Sequence, residues 1–374
     1  MTEVTLFGYV VPMRVILVRV GLVVGVATTV SFCLTMGLSV YRSGKNTRRE
    51  RVRPDLREEL LNRLFADEPD WEGWVDGLSR MERAVVESLL DDNLRELDGR
   101  EADRLRDLGD ALGIPERAGR RLESRNEYDR LQALTWLTLL CRPDQYVDST
   151  FEPQSPRERA AVVTLLQVSG TLPDAESGIS MLLDGTNEEF TVFGQDTLYR
   201  VARDDPEPLL RRANRSYSEW PEPLLTQVLA VCANLGTSVR DGDLGWLTAA
   251  LETENEAIRA AAAAALGSFG WNASLRDQLF LERATDDPSP RVRAAVYEML
   301  AAWGDEKALW ILLFALVEET HPRALTLGTA ALVRRRDRIE TDGDAVLGDA
   351  WAWSLEHAEY DQLARTPNRD GVTG

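Results

Sequence analysis

From about residue 54 onward, apolar side chains recur three and four residues apart, and glycine and proline fall between these patterns rather than inside them. This spacing predicts amphipathic helices, and no stretch alternates apolar and polar residues long enough to predict a sheet. Residues 58–125 are expected to form a small helical region with three apolar faces: Leu60, Leu61, Leu64 and Phe65; Val85, Val86, Leu89, Leu90 and Leu94; and Leu105, Leu108 and Leu112. Trp71 and Trp74 are expected to close the join between the first two of these helices.

Residues 126–358 repeat one helical pattern at intervals of 31–34 residues. An apolar position near the end of a helix can be followed through six copies: Val168, Val201, Leu235, Leu266, Leu300 and Leu332. After each such helix a second amphipathic helix is predicted: Ile179–Leu183, Leu209–Ala213, Leu244–Leu251, Leu275–Arg283, Ala308–Val317 and Ala345–His357. Because one helix pair cannot bury its apolar face alone, successive pairs must stack. The expected fold is therefore all-α, with an α-solenoid over 126–358 and a polar tail over 359–374.

Two copies of the pattern resemble the short HEAT repeat, in the form described as HEAT-like or phycocyanobilin-lyase-type. One is Asp286–Asp305, which reads DDPSPRVRAAVYEMLAAWGD, and the other is Glu254–Trp271. The remaining copies match mainly in their apolar spacing. The tetratricopeptide repeat has the same period, but its Trp-x2-Leu-Gly-x2-Tyr signature is absent, so the HEAT class is preferred. The resemblance implies a stacked array with an extended binding surface.

The resemblance also implies a structural role for two arginines. In HEAT repeats the arginine of a Val-Arg pair at the start of the helix commonly bonds acidic or carbonyl groups of the neighbouring repeat. Arg259 and Arg293 occupy this position, and Asp286 or Asp287 is the expected partner. A guanidinium group can hold two oxygens in a planar fork, which suits a joint between stacked units better than a ligand site.

The N-terminal part of the chain predicts a membrane anchor. Val20–Tyr41 carries no charge over 22 residues, and as a helix it would be roughly 33 Å long, enough to cross the hydrocarbon layer. We therefore expect an uncleaved transmembrane helix within residues 1–41. A cleaved secretory signal is the alternative, and the length of the run and the lack of an Ala-x-Ala site disfavour it.

Basic residues flank this run unequally. Seven lie in the segment 42–57, against Arg14 and Arg19 on the other side. The positive-inside rule then predicts a single-pass protein of the cell membrane whose C-terminal bulk is cytoplasmic. The same segment is suited to bind anionic lipid headgroups.

The charge of the chain narrows the class of partner. Its 62 acidic and 43 basic residues give a net charge of −19, and only Lys45 and Lys307 are lysines. Such a composition is typical of proteins from salt-adapted organisms, where molar salt screens acidic self-repulsion. The residues beyond 57 carry −25, which argues against nucleic-acid binding.

Candidate chemistry is sparse. The chain has three cysteines in unrelated positions and two histidines. It contains no phosphate-binding loop, no dinucleotide-binding glycine motif, no zinc-protease motif, no Cys-x-x-Cys and no Gly-x-Ser-x-Gly. We therefore predict no catalytic residue, cofactor or metal ligand.

Two features near the end of the array are candidates for contact with a partner. One is the cluster Arg334, Arg335 and Arg336 in an otherwise acidic region, for which internal pairing with Glu340, Asp342 and Asp344 is the preferred interpretation. The other is the pair Trp351 and Trp353. Because residues two apart on a helix cannot face the same way, one of these tryptophans is expected to be exposed.

These observations favour a non-enzymatic adaptor, a membrane-tethered scaffold that presents HEAT-like repeats in the cytoplasm to a protein partner. The arrangement resembles membrane-anchored HEAT proteins that accompany membrane glycosyltransferases, so an integral membrane or membrane-associated protein is the expected partner. A bilin lyase-like enzyme is the alternative that the lyase-type label implies, although no catalytic set supports it. A nucleic-acid-binding HEAT-like protein is the third possibility, and the negative charge disfavours it.

Overall fold

The computed structural model of the protein describes residues 3–6, 9–12, 28, 31–32, 36, 49–236, 244–270, 281–339 and 342–365. The chain divides into two units, Met1–Arg117 and Ala118–Gly374. The boundary between the units lies close to the one predicted at residue 125.

The first described elements form a β-hairpin, and the other elements that the structure describes are helices. Strand β1, Glu3–Leu6, pairs antiparallel with strand β2, Tyr9–Pro12, so that Glu3 lies opposite Pro12. Five of the eight strand residues are β-branched or aromatic, which suits a strand. The apolar pattern predicts that this stretch belongs to the anchor over 1–41. In the structure, residues 3–6 and 9–12 form two paired strands and not a helix.

The predicted membrane span, Val20–Tyr41, lies outside the described residues except for the helical positions 28, 31, 32 and 36. Among the helices that the structure describes, none combines the length and the apolar character that a membrane crossing needs.

The first unit contains a set of helices that includes part of the predicted basic segment. Helix α1 covers residues 49–64, and it is followed by α2 (Trp71–Gly77), α3 (Arg80–Leu94), α4 (Arg100–Ala111) and α5 (Ile114–Leu122), which crosses into the second unit. Arg53 in α1 forms an ion pair with Asp92 in α3, at 2.6 Å between Nη2 and Oδ2. Residues 49–57 of the segment 42–57 therefore belong to this helical unit.

The predicted apolar faces of the first unit are buried, except at Leu61, which is partly exposed, and at Phe65, which is exposed. The faces of α3 and α4 are buried throughout, and in α1 Leu60 and Leu64 are buried. Phe65 is exposed instead, because α1 ends at residue 64 and the next residue leaves its apolar face. Trp71 and Trp74 are both buried, with ring centroids 5.8 Å apart.

The second unit is a stack of helix pairs, as an α-solenoid requires. Each first helix packs on the next first helix along the chain. These helices are α6 (Glu127–Leu140), α8 (Pro156–Val168), α10 (Val192–Ala202), α12 (Glu222–Leu235), α14 (Glu256–Phe269), α16 (Pro290–Trp303), α18 (Pro322–Val333) and α20 (Asp349–Arg365).

The second helices form another layer, in which most neighbours also touch. They are α7 (Asp144–Val147), α9 (Ala175–Leu183), α11 (Glu207–Ser216), α13 (Gly245–Ala250), α15 (Leu281–Thr285), α17 (Glu306–Glu318) and α19 (Gly343–Leu347). Of the predicted second helix Leu275–Arg283, residues 275–280 lie outside the described part of the chain.

Local sequence fixes where these helices begin. The side chains of Asn126, Asn255 and Asp305 accept hydrogen bonds from backbone N–H groups of the first turn. Ser155 and Glu158 form a reciprocal capping box, and proline occupies the first position of α8, α16 and α18, where its missing N–H costs nothing. Helix ends follow from glycine in the left-handed region, as at Gly304 with φ of 62°.

Buried side chains form one core cluster from α8 to α18 and a second cluster over α5, α6 and α8. Five of the six predicted helix-end positions are buried. Val168 is half exposed because it is the last residue of α8, and Leu165 and Leu166 provide the buried apolar side chains at this end of the helix instead. The stack is tight between α14 and α16, where a Cβ atom on Gly267 would lie 3.1 Å from the Cα of Met299. Small residues therefore let these two helices approach closely.

The end of the array differs from the sequence prediction. The single helix expected over Ala345–His357 is two helices, because Gly348 breaks it with φ of 52°. The second of them, α20, packs on α18 in the position of a first helix. Since α20 continues to Arg365, the predicted tail 359–374 begins inside a helix.

Candidate protein-binding surface of the second unit

Arginines at the fourth position of the first helices join successive pairs. Arg259 in α14 donates from Nε to Oδ2 of Asp287 at 2.7 Å and from Nη2 to Oδ1 at 3.0 Å. Its Nη1 donates to the carbonyl oxygens of Thr253 and Glu254, in the turn before α14. One guanidinium thus ties the start of its own helix to the turn before the next first helix. The hydrogen bond to Asp287 is the main cause that raises the pKa of Arg259.

Arg293 in α16 repeats this geometry with a different acid. It donates from Nε to Oε2 of Glu319 at 2.7 Å and from Nη2 to Oε1 at 2.8 Å, while Nη1 donates to the carbonyl of Asp287. Asp287, one of the two expected partners, therefore bonds both arginines, through its carboxylate to Arg259 and through its backbone carbonyl to Arg293, while the carboxylate that Arg293 holds is that of Glu319. Asp287 and Glu319 are equivalent, because each lies three residues ahead of the next first helix.

The joint around Glu319 is nearly closed to solvent. The side chain of Glu319 is 1% exposed, and it also accepts a hydrogen bond from the hydroxyl of Tyr297 at 2.9 Å. The hydrogen bonds from Arg293 lower the pKa of Glu319 to about 2. Burial and the neighbouring carboxylate raise the pKa of Tyr297, so this hydroxyl remains a donor.

Two further arginines at the fourth helix position were not singled out by sequence reasoning. Arg130 donates from Nε to the buried carboxylate of Glu158 at 2.7 Å and from Nη1 to the carbonyl of Ser124. Arg159 donates to the carbonyl of Asp184 and to the hydroxyl of Thr186. The signal that could have found them is the register itself, since both stand where Arg259 and Arg293 stand.

The basic cluster 334–336 is divided between packing and solvent. Arg335 donates from Nε to the carbonyl of Ala301 at 2.8 Å and from Nη2 to that of Ala302 at 3.0 Å, at the C-terminal end of α16. A cation there meets the negative end of the helix dipole. Arg334 and Arg336 are exposed. Among the described residues no ion pair joins these arginines to Asp342 or Asp344, so that part of the predicted internal pairing is not found, while pairing with Glu340 lies outside the described residues and stays a prediction.

The two tryptophans of α20 face different ways. Trp351 packs on the apolar core and on Gly343, whose Cα would carry a Cβ atom only 2.5 Å from the indole ring. Trp353 is 46% exposed and stacks on His357, with ring centroids 3.8 Å apart. Trp353 is therefore the member of the pair that a partner could touch.

Three large apolar side chains are exposed on α17, at positions that were not among the predicted sites. Trp310, Phe314 and Val317 are 44%, 65% and 54% exposed, and they follow one another along a single face of the helix. The Trp310 and Phe314 rings stack with centroids 5.7 Å apart. We call these three residues the α17 stripe. Its opposite face is buried through Leu309, Leu312, Leu313 and Leu316.

A sequence signal for the α17 stripe exists. Residues 308–317 read ALWILLFALV and contain no polar side chain, although a helix packed on one side needs apolar residues on only one face. A contiguous apolar patch left exposed on a helix is a candidate site for contact with another surface.

A cavity of about 600 Å³ opens beside the α17 stripe. Phe314 lines it together with Asp286, Tyr297, Glu318 and the Arg293–Glu319 pair. Within the part of the chain that the structure describes, neither Asp286 nor Glu318 takes part in an ion pair. A cationic side chain that entered this cavity would meet two uncompensated carboxylates next to an aromatic wall.

Comparison with known proteins agrees with the helical stack. A family model described as HEAT repeats matches residues 246–333, which include α14, α16, α17 and α18. The match covers less than a quarter of the chain. No curated protein matches the chain. HEAT repeats in general form non-enzymatic scaffolds for protein interaction, and both the α17 stripe and the joints at Arg259 and Arg293 lie inside the matched segment.

Proposed function

We propose that this protein is a non-enzymatic scaffold that binds a protein partner through the second-helix layer of its repeat array. The observation that carries the proposal is the α17 stripe. Burying three such side chains contributes on the order of 3 to 6 kcal/mol of apolar transfer free energy before the costs of association. Trp310 is also of the residue type that most often dominates the binding free energy of protein interfaces.

The proposal includes a membrane tether, which rests on the sequence. The uncharged run Val20–Tyr41 would anchor the protein, and the basic segment 42–57 would keep the repeat array in the cytoplasm and contact anionic headgroups. The partner would then be an integral membrane or membrane-associated protein, such as a membrane glycosyltransferase. The acidic composition fits a cytoplasm rich in salt.

Affinity capture of the full chain tests the scaffold function. The tagged protein and its Trp310→Ser/Phe314→Ser variant are recovered from detergent extracts of the native cells at native salt. The matched control is Val192→Ser/Phe193→Ser, which removes two exposed apolar side chains from another helix. We expect the same partner with the wild type and the control and its loss from the α17 variant. Equal recovery of every protein by all three would contradict the proposal.

Alkaline extraction of membranes tests the tether. An anchored chain stays with the membrane at high pH, and residues 42–374 are digested by protease only when the cytoplasmic face is open. Release of the intact chain into the alkaline supernatant would overturn the tether but leave the scaffold function standing.

A further inference from the structure

The α17 stripe and the cavity beside it form one continuous surface. Phe314 belongs to both, because its exposed side chain is part of the stripe and also lines the cavity. Trp310 and Val317 are seven residues apart on one helix, so the stripe is about 10 Å long. A partner that covers the stripe therefore places neighbouring side chains at the mouth of the cavity.

The charged groups around this surface are mainly acidic. Asp286 and Glu318 are exposed carboxylates at the cavity, and Glu319 is neutralised by Arg293. Of the adjoining second helices, α19 and its N-cap expose Asp342, Asp344 and the apolar Val346, and α15 exposes the cation Arg283. On α17 itself the one cation is Lys307. Complementary charge would have to come from a basic partner, and a second copy of this acidic surface would be repelled.

We propose, as a development of the scaffold function, that the α17 stripe and its cavity bind a cationic amphipathic helix of another protein. Two or three apolar side chains of that helix cover Trp310, Phe314 and Val317, and a flanking lysine or arginine enters the cavity toward Asp286 and Glu318. A helix fits because its apolar residues recur at the same interval as the residues of the stripe. The stacked rings of Trp310 and Phe314 also attract a cation that passes over their faces.

Binding of a labelled peptide to the full chain is the direct test. The probe is an amphipathic helix of leucine and lysine, measured by fluorescence anisotropy. Control peptides carry glutamate in place of lysine, or serine in place of leucine. We expect the leucine–lysine peptide to bind and both controls to bind at least about tenfold more weakly. Equal binding of the three peptides would overturn the inference.

Variants then locate the bound peptide. Trp310→Ser, Phe314→Ser and the double variant Asp286→Asn/Glu318→Gln should each weaken binding by about tenfold. The matched control is Glu188→Gln/Glu189→Gln, which removes the same charge from exposed positions in another turn. Because it leaves the α17 stripe untouched, it should change the affinity by less than about twofold. Equal weakening by both charge variants would show non-specific attraction and overturn the inference. Circular dichroism confirms that each variant is folded.

Photocrosslinking in the native cells separates this inference from the scaffold function. Phe314→p-benzoylphenylalanine should crosslink to a protein segment that contains lysine or arginine beside apolar residues, as read by mass spectrometry. Crosslinking to an acidic or polar segment would overturn the inference and leave the scaffold function intact. The absence of any crosslinked protein, both with this variant and with Trp310→p-benzoylphenylalanine, would overturn both.

Discussion

Arg293 and Glu319 form a two-pronged ion pair, with Nε donating to Oε2 at 2.7 Å and Nη2 donating to Oε1 at 2.8 Å. Arg293 lies at the start of α16, and Glu319 lies in the turn that leads from α17 to α18. Because the carboxylate is almost fully buried, its charge is compensated by the guanidinium and not by water. This pair fixes one helix pair against the next at the site where the cavity opens.

Removing the guanidinium should destabilise the second unit. For Arg293→Ala we expect a loss of about 2 to 4 kcal/mol, since Glu319 would be left buried and unpaired. Urea unfolding followed by circular dichroism measures the loss. Arg203→Ala removes one partner of a pair that is mostly exposed, Arg203–Asp204, and should cost less than about 0.5 kcal/mol. Similar losses of unfolding free energy for the two variants would show that the Arg293–Glu319 pair stabilises the second unit no more than an exposed ion pair does.

The same pair should give the second unit an acid-sensitive component of stability. The pKa of Glu319 falls from 4.5 to about 2 on folding, so its contribution is fully present above the unfolded value. That contribution should decrease by about 2 kcal/mol as the pH falls from about 6 to about 3. The measurement is the difference in unfolding free energy between the wild type and Glu319→Gln at each pH. Since the other acidic groups are common to both proteins, a difference independent of pH would contradict the assignment.

A methyl group at Gly328 should disturb the packing behind Tyr297. A Cβ atom there would lie 2.5 Å from Cδ2 of Leu316 and 2.7 Å from Cδ2 of Tyr297. We expect Gly328→Ala to destabilise the protein by about 1 to 3 kcal/mol, despite the higher helix propensity of alanine. In the control Gly77→Ala the new methyl group meets no atom within 4 Å, so that variant should be neutral or slightly more stable. Thermal unfolding distinguishes them.

Neighbouring arginines in the basic cluster should differ in their effect on stability. Arg335→Ala removes two hydrogen bonds to the last carbonyls of α16, and we expect a loss of about 1 to 2 kcal/mol. Arg334→Ala and Arg336→Ala change exposed side chains and should stay within about 0.5 kcal/mol of the wild type. Chemical unfolding of the three variants under one set of conditions provides the comparison.

The repeat and the burial of its helices were accessible from the sequence, because apolar spacing and caps are local signals. The HEAT resemblance at Glu254–Trp271 and Asp286–Asp305 falls in the segment that the family model matches. The position of Arg259 relative to Asp287 also follows from a motif in which both residues stand close to a helix start. These features depend on a few neighbouring residues each.

The remaining features depend on contacts between distant segments. Glu319 follows the second helix and not the HEAT motif, so nothing local links it to Arg293, although it shares its register with Asp287. The break at Gly348 separates α19 from α20, and α20 packs on α18. Whether the chain forms one helix or two here therefore depends on packing against a distant segment. The exposure of Trp310 and Phe314 could have been read from an apolar run too long for one buried face, but which side stays open is decided by the neighbouring helices.

The arginines that link successive pairs from the fourth helix position are unevenly distributed along the array. This distribution predicts which part of the array bends most easily. These arginines occur at Arg130 and Arg159 toward one end and at Arg259 and Arg293 toward the other. Between them, α10 and α12 carry Gln195 and Leu225 at the equivalent position. The links there include the neutral amide of Gln227 on the backbone of Phe190 and two largely exposed ion pairs, Arg211–Glu176 and Arg212–Asp184, which contribute little to stability. An array whose arginine ion pairs and hydrogen bonds lie on either side of such a segment is expected to bend within it. We therefore expect residues 192–235 to bend more easily than the segments on either side.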